Sequence, residues 1–148
     1  MMKIPDILAA VTATMQAIPE LVAMAPVTAF DDENSEFNSP IDAVNQMAVP
    51  SILVTHENTE LGREPGTDFP RWVHLFHAYF RFERSGEGWA AIDALINGVP
   101  DPADGSTWMN TTPDDKLYPP IDIIIDYVHN SDGVALPRVA FRIIEVGG

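Results

Sequence analysis

The chain of 148 residues has no cysteine, few basic residues and no long apolar run. Without cysteine, disulfides, thiolate metal sites and cysteine nucleophiles are all excluded. Lysine and arginine number 8 against 22 acidic residues, which gives a formal net charge of −14. Non-specific DNA binding needs clustered cations on the phosphates, so this composition argues against a DNA-gripping role. No stretch approaches the roughly 20 apolar residues of a membrane-spanning helix, so we expect no membrane partner.

The residues that are present predict one globular domain over positions 1–148. Hydrophobic residues make up 46% and charged residues 20% of the chain, which is ordinary for a folded domain. Apolar residues recur at three- and four-residue spacing from Ile4 to Ile18, and Pro5 suits a first helical turn. The pair Ser39-Pro40 predicts the start of a second, short helix over 41–47, with Ser39 as its cap.

Alternation and turn residues predict the rest of the fold. Residues 72–82 carry apolar side chains on both faces, which indicates a central strand. Residues 121–129 and 138–146 flank a turn and predict an antiparallel hairpin. Further strands are expected at 26–30 and 51–56, a helix at 89–97, and long loops at 57–70 and 99–120. The predicted fold class is α+β, with a mixed or antiparallel sheet of about four to five strands, an N-terminal helix and a second helix packed on it.

The four histidines and the paired acids give no metal site. His74 and His77 face opposite sides of a strand, because side chains alternate between the faces. Asp122 and Asp126 lie ~13 Å apart at ~3.3 Å per residue, too far for shared proton chemistry. The acidic run from Asp31 to Glu36 lacks the glycine that a helix–loop–helix calcium site needs at its sixth position.

The motifs of several enzyme classes are also missing. The sequence has no Gly-x-Ser-x-Gly elbow, no phosphate-binding loop and no dinucleotide fingerprint. We therefore expect no catalytic residue, no metal and no cofactor, and a protein that is not an enzyme.

Apolar side chains in the two long loops are the candidates for subunit or partner contacts. Aromatic and methionine residues are enriched in the cores of protein interfaces. The alternative is that these side chains fold back and cover their own sheet, since long loops do either. The candidates are Phe69, Trp108, Met109, Leu117 and Tyr118.

The order of elements resembles a known family. An amphipathic N-terminal helix precedes the strand Val49-Pro50-Ser51-Ile52-Leu53-Val54. A long loop, the apolar strand 74–82, the helix 89–97 and a C-terminal hairpin follow. This order is similar to the tail terminator proteins of long-tailed bacteriophages and, more loosely, to related neck and tail-completion proteins. Segment 26–47 is longer and more acidic than the family pattern, and the loop 99–120 is enlarged.

The resemblance implies a structural role in the virion, with assembly in the host cytoplasm. It implies a homo-hexameric ring that ends tail-tube polymerisation and joins the tail to the head connector. The implied partners are the tail tube protein and the head connector or stopper protein, with DNA passing through without specific binding. An acidic lumen would repel DNA during passage, and its candidates are Asp31, Asp32, Glu33 and Glu36. Three alternatives stay open: another neck or head-completion adaptor, a small ligand-binding or catalytic α+β domain that uses His74 or His77 with a nearby Asp, or a monomeric adaptor whose loops fold on a partner.

Overall fold

The computed structural model describes residues 1–30, 36–63, 65–101 and 106–146. The described helices and strands are, in chain order, α1 (Ile4–Gln16), α2 (Pro19–Met24), β1 (Val27–Ala29), α3 (Pro40–Asn45), β2 (Ser51–Arg63), β3 (Pro70–Arg81), α4 (Ser85–Ile96), β4 (Ile121–His129) and β5 (Ala135–Val146). A short 3-10 helix, Trp108–Asn110, lies between α4 and β4. None of these helices is long and apolar enough to cross a membrane. The predicted α+β class is confirmed.

The strands form one mixed sheet in the order β1-β2-β3-β5-β4. The pair β1–β2 is parallel, and the other pairs are antiparallel. As predicted, β3 is central, and β4 and β5 form the C-terminal hairpin. The expected loop at 57–70 is wrong, because β2 continues to Arg63 and residues 58–63 pair with 70–75. Cross-strand pairing outweighs the turn-like composition of this segment.

One face of the sheet, here called the inner face, is closed by α1, α2 and α4. The apolar stripe of α1 buries Ile7 and Met15, and alternate β3 residues such as Phe76 are fully buried against it. Pro5 lies in the first turn of α1, where its missing N–H costs no hydrogen bond. Close packing continues after α4, where a Cβ on Gly98 would collide with the Ala94 carbonyl oxygen and the Ile18 side chain.

The opposite face, here called the outer face, is covered over only part of its length. The helix α3 begins as predicted, with the Ser39 side chain accepting a 3.2 Å hydrogen bond from the Asp42 amide. Val44 and Leu136 belong to a small core between this helix and the sheet. Beyond it, outer-face residues such as Leu75 are only half-buried. The outer face therefore offers solvent-accessible polar groups that the inner face does not.

Candidate functional site

The two edge strands of the sheet differ in length and protection. At one edge, β1 has only three residues. Its Val27 carbonyl oxygen accepts a 2.8 Å hydrogen bond from the side-chain amide of Gln16. A short strand with a side chain on its open backbone cannot easily template another strand.

The strand β4 forms the other edge and is long and mostly apolar, with Asp122 in a bulge near its start and Asp126 near its middle. It has nine residues and pairs on one side with β5. Ile124 is 55% exposed and Tyr127 is 58% exposed, on opposite faces of the strand, and Ile125 is also exposed. Natural sheets usually protect such edges with charge, proline or a covering element. This edge is a site where another strand can add.

A second unpaired stretch lies on the far side of the sheet. The strand β1 pairs with Ile52, Leu53 and Val54 alone, although β2 runs on to Arg63. On the side of β2 away from β3, the backbone of residues 56–63 has no strand partner within the part of the chain that the structure describes. The sheet thus has open backbone at both ends.

A polar network, here called the inner network, lies on the inner face, with His74 and Glu145 buried and His56 and Thr59 partly exposed. His74 is 0% exposed and Glu145 2% exposed, and His74 Nε2 lies 3.0 Å from Glu145 Oε1. Glu145 Oε2 accepts a 2.6 Å hydrogen bond from the Met2 amide. Thr59 Oγ1 lies 2.7 Å from His74 Nδ1 and 2.9 Å from His56 Nε2. Burial lowers the pKa of His56, and repulsion from His74 lowers it further. No substrate can reach His74, so this network serves the fold.

A second network, here called the outer network, lies on the outer face. His77 Nδ1 lies 3.2 Å from both Glu57 Oε1 and the Tyr79 hydroxyl. Arg138 donates two hydrogen bonds to Asp126, at 2.9 and 2.7 Å. The hydrogen bond with His77 is the main cause of the lowered pKa of Glu57, and that with Arg138 is the main cause of the lowered pKa of Asp126. Both carboxylates are therefore ionised at neutral pH.

The outer network is equipped for binding more clearly than for catalysis. Its imidazole–carboxylate pair is partly exposed, and the hydroxyls that contact it are those of Tyr79 and Thr55. Within the described ranges, no three His, Asp or Glu side chains converge where a metal ion would bind. The network can hold a charged or hydrogen-bonding group at the surface.

Two predicted contact residues are in the core of the chain, and their assignment to a surface is wrong. Trp108 is 1% exposed and Leu117 is 2% exposed. Trp108 Nε1 donates a 3.1 Å hydrogen bond to Thr14 Oγ1, and its ring packs edge-on against Phe141. Leu117 forms a β-bridge with Glu145. Residues 106–118 fold back against the sheet, because burying these apolar side chains is favourable.

The other predicted residues lie at the surface or outside the described residues. Phe69, Met109 and Tyr118 are exposed, and their role in contacts stays a prediction. Glu36 is exposed at the rim of a pocket of about 560 Å³ between the outer face and the segment before α3. Asp31, Asp32 and Glu33 lie outside the described residues.

Sequence reasoning missed most members of both networks. The alternation Phe141, Ile143, Glu145 places a carboxylate on the buried face of a strand, which signals a buried partner. Asp126 pairs with Arg138 because the loop 130–134 sets that register, which the predicted turn did not specify. Glu57 lies at a bulge in β2, and no pattern in the sequence predicts this bulge.

Comparison with known proteins gives no family for this chain. No family model matches it, and no curated protein matches it. Its function is therefore inferred from the geometry of the described residues and from the resemblance in element order.

Proposed function

We propose that this chain is a non-enzymatic structural subunit of a bacteriophage neck or tail. It assembles into a homo-hexameric ring that ends tail-tube polymerisation and joins the tail to the head connector while DNA passes through. The observation that carries the proposal is the exposed, apolar edge strand β4, with nine residues. A second copy of the chain would complete this edge.

Strand direction supports head-to-tail addition of copies. Along the sheet, β2, β3, β5 and β4 are antiparallel to their neighbours in turn, so β4 runs opposite to β2. Copies placed side by side in one orientation would therefore bring β4 against the open edge of residues 56–63 as an antiparallel pair. Contacts between two different surfaces of the same subunit generate rings when the rotation closes.

The mass of the purified protein tests the ring. We expect about 98 kDa, six times the 16.3 kDa of one chain, by light scattering or native mass spectrometry. Ring formation only on isolated tail tubes, seen by electron microscopy, would also support the proposal. A monomer that neither assembles nor binds tubes would contradict it.

Lysine substitutions on β4 test whether this edge forms the contact between subunits. The double variant Ile124→Lys/Tyr127→Lys should weaken assembly at least tenfold, because each lysine would need desolvation in the new strand pair. Both positions are more than half exposed, so stability should change by no more than about 0.5 kcal/mol for each substitution. The matched control is Val22→Lys, an exposed position on α2 away from the edge. Normal assembly of the double variant would remove β4 from the interface.

The acidic lumen belongs to the same proposal. The net charge of −14 favours a passage that repels DNA. Reversing Glu36 to lysine should slow DNA ejection while leaving the fold intact, because Glu36 is exposed. Ejection at the wild-type rate from phage that carry this variant would exclude Glu36 from the lumen.

A second candidate function is binding of a small molecule, favoured by the pocket beside Glu36. Its volume of about 560 Å³ lies within the roughly 300–1,000 Å³ of small-molecule sites. Ligand-observed NMR with a fragment library should then find saturable binders that Met47→Trp, a substitution in the pocket wall, displaces. A screen without a saturable binder would reject this candidate.

A further inference from the structure

A smaller pocket lies on the outer face, between α3 and the end of the sheet. Ile41, Val44 and Val128 form apolar walls, and Glu57, Tyr79 and Asn130 supply polar atoms. Its volume is about 200 Å³, which liquid water would fill with roughly seven molecules. This is below the roughly 300–1,000 Å³ of most small-molecule sites. The space suits one long side chain.

The carboxylate of Glu57 presents one free oxygen to this pocket. Its Oε1 accepts a 2.6 Å hydrogen bond from Thr55 Oγ1 and lies 3.2 Å from His77 Nδ1. No described residue donates to Oε2. The lowered pKa of Glu57, caused mainly by the hydrogen bond with His77, keeps the group ionised at neutral pH. Because two neighbours hold the carboxylate, it offers a fixed negative charge with little ordering cost.

Asn130 contributes an independent sign that something binds here. The residue is only 8% exposed. Its Oδ1 accepts hydrogen bonds from the amides of Asp132 and Val134, at 3.0 and 2.9 Å. Its Nδ2 is buried and has no hydrogen-bond partner among the described residues. A buried donor without an acceptor is unfavourable and rare in folded proteins, which singles out this end of the pocket.

Charge decides between the possible guests. The chain carries a net charge of −14, which attracts basic partners. In the outer network, Arg138 donates two hydrogen bonds to Asp126 and also attracts Glu57, so one arginine charge is shared between two carboxylates. Apolar walls around one negative carboxylate complement an alkyl chain with a cationic end.

We propose that this pocket binds a lysine or arginine side chain of a protein partner. The cation pairs with Glu57 Oε2, and the alkyl stem lies along Ile41, Val44 and Val128. This binding site goes beyond the ring proposal and needs no particular oligomer.

The test is an NMR titration of the full chain with Nα-acetyl-lysine methylamide and its arginine counterpart. Nα-acetyl-norleucine methylamide supplies the same length of alkyl chain without charge. We expect saturable shifts of the Asn130 side-chain amide signals with the two cations, and binding at least fivefold weaker for norleucine. Equal binding of norleucine, or no saturable shift, would overturn the proposal. Tighter binding of free lysine than of the capped form would show that the pocket prefers the free amino acid, which would contradict a protein partner.

Variants separate the pocket from general attraction to an acidic protein. Glu57→Gln should weaken lysine binding at least tenfold. The matched control, Glu60→Gln, removes the same charge from an exposed position on the same strand and should leave binding within twofold. Ile41→Trp, at a position 73% exposed, should obstruct the pocket without disturbing the core. Equal weakening by the two glutamine variants would reject the pocket. Oligomer mass, measured on the same samples, reports separately on the ring.

Discussion

The two histidines of β3 lie three positions apart and have different surroundings. His74, on the inner face, contacts Glu145 and Thr59 in a closed network. His77, on the outer face, contacts Glu57 and Tyr79 in a network that is partly open to solvent. In the first network both oxygens of the carboxylate have partners. In the second, Oε2 of Glu57 has none among the described residues.

This difference separates a role in stability from a role in binding. A buried polar group whose partner is removed keeps its desolvation cost, so a closed network resists substitution. A half-exposed carboxylate can exchange water for a partner at small cost. Changes on the inner face should therefore act on folding, and changes on the outer face should act on binding.

The largest expected effect is on the inner face, at Trp108. Replacing this buried side chain with alanine should lower the free energy of unfolding by about 3–5 kcal/mol, because it leaves a cavity and removes the hydrogen bond to Thr14 Oγ1. The neighbouring Met109 is 37% exposed, and Met109→Ala should change stability by no more than about 0.5 kcal/mol. Urea denaturation measures both. Similar values for the two variants would show that the long segment does not pack as described.

The next largest effect is the difference in stability between substitutions of Glu145 and of Glu57. Glu145→Ala leaves His74 and the Met2 amide buried without their acceptor, which should cost about 2–4 kcal/mol. Glu57→Ala on the outer face should cost less, about 1–2 kcal/mol, because His77 is partly solvated although Thr55 is buried. Glu145→Gln keeps an acceptor and should recover part of the loss. A larger cost for Glu57 than for Glu145 would reverse the distinction between the faces.

The smallest effect is a dependence of stability on pH from His56. Because its pKa in the folded chain lies below the ordinary 6.5, the unfolded chain takes up this proton first as pH falls. The contribution of His56 to the free energy of unfolding is therefore complete above about pH 6.5 and declines below it. The slope of the free energy of unfolding against pH should stay well under about 1.4 kcal/mol per pH unit, which is the value for the uptake of one whole proton.

Chemical denaturation at several pH values between neutrality and pH 5 measures this slope. His56→Gln keeps a hydrogen-bonding group near Thr59 without titrating, so it should flatten the curve. His129→Gln, at an exposed position on β4, is the matched control. An unchanged slope in the His56 variant would assign the pH dependence to other groups.

Local signals in the sequence predicted the local structure well. Ser39 and Pro40 predicted the start of α3, and alternation in residues 72–82 predicted a central strand with its histidines on opposite faces. These features depend on neighbours within a few residues, where capping and side-chain alternation act. The turn residues likewise predicted the hairpin of β4 and β5.

The sites depend on contacts that are distant in sequence and were therefore missed. Glu145 meets the Met2 amide across 143 positions, and no local pattern specifies such a pair. Trp108 was assigned to a surface because its segment is rich in proline and aspartate, although tertiary packing buries it. The bulge at Glu57 depends on how β2 pairs with β3, which becomes visible only in the assembled sheet.

The position of β5 links the folding of the chain to its assembly. β4 joins the sheet through β5, and β5 must first dock on β3, more than fifty residues earlier in the chain. Pairing over such sequence distances is slow, because loop closure precedes the gain from contacts. The edge proposed for assembly therefore takes its place only after the C-terminal hairpin has docked. In the proposed ring, a subunit that is still folding would lack the surface that its neighbours recognise, so the order of strands would delay assembly until the fold is complete.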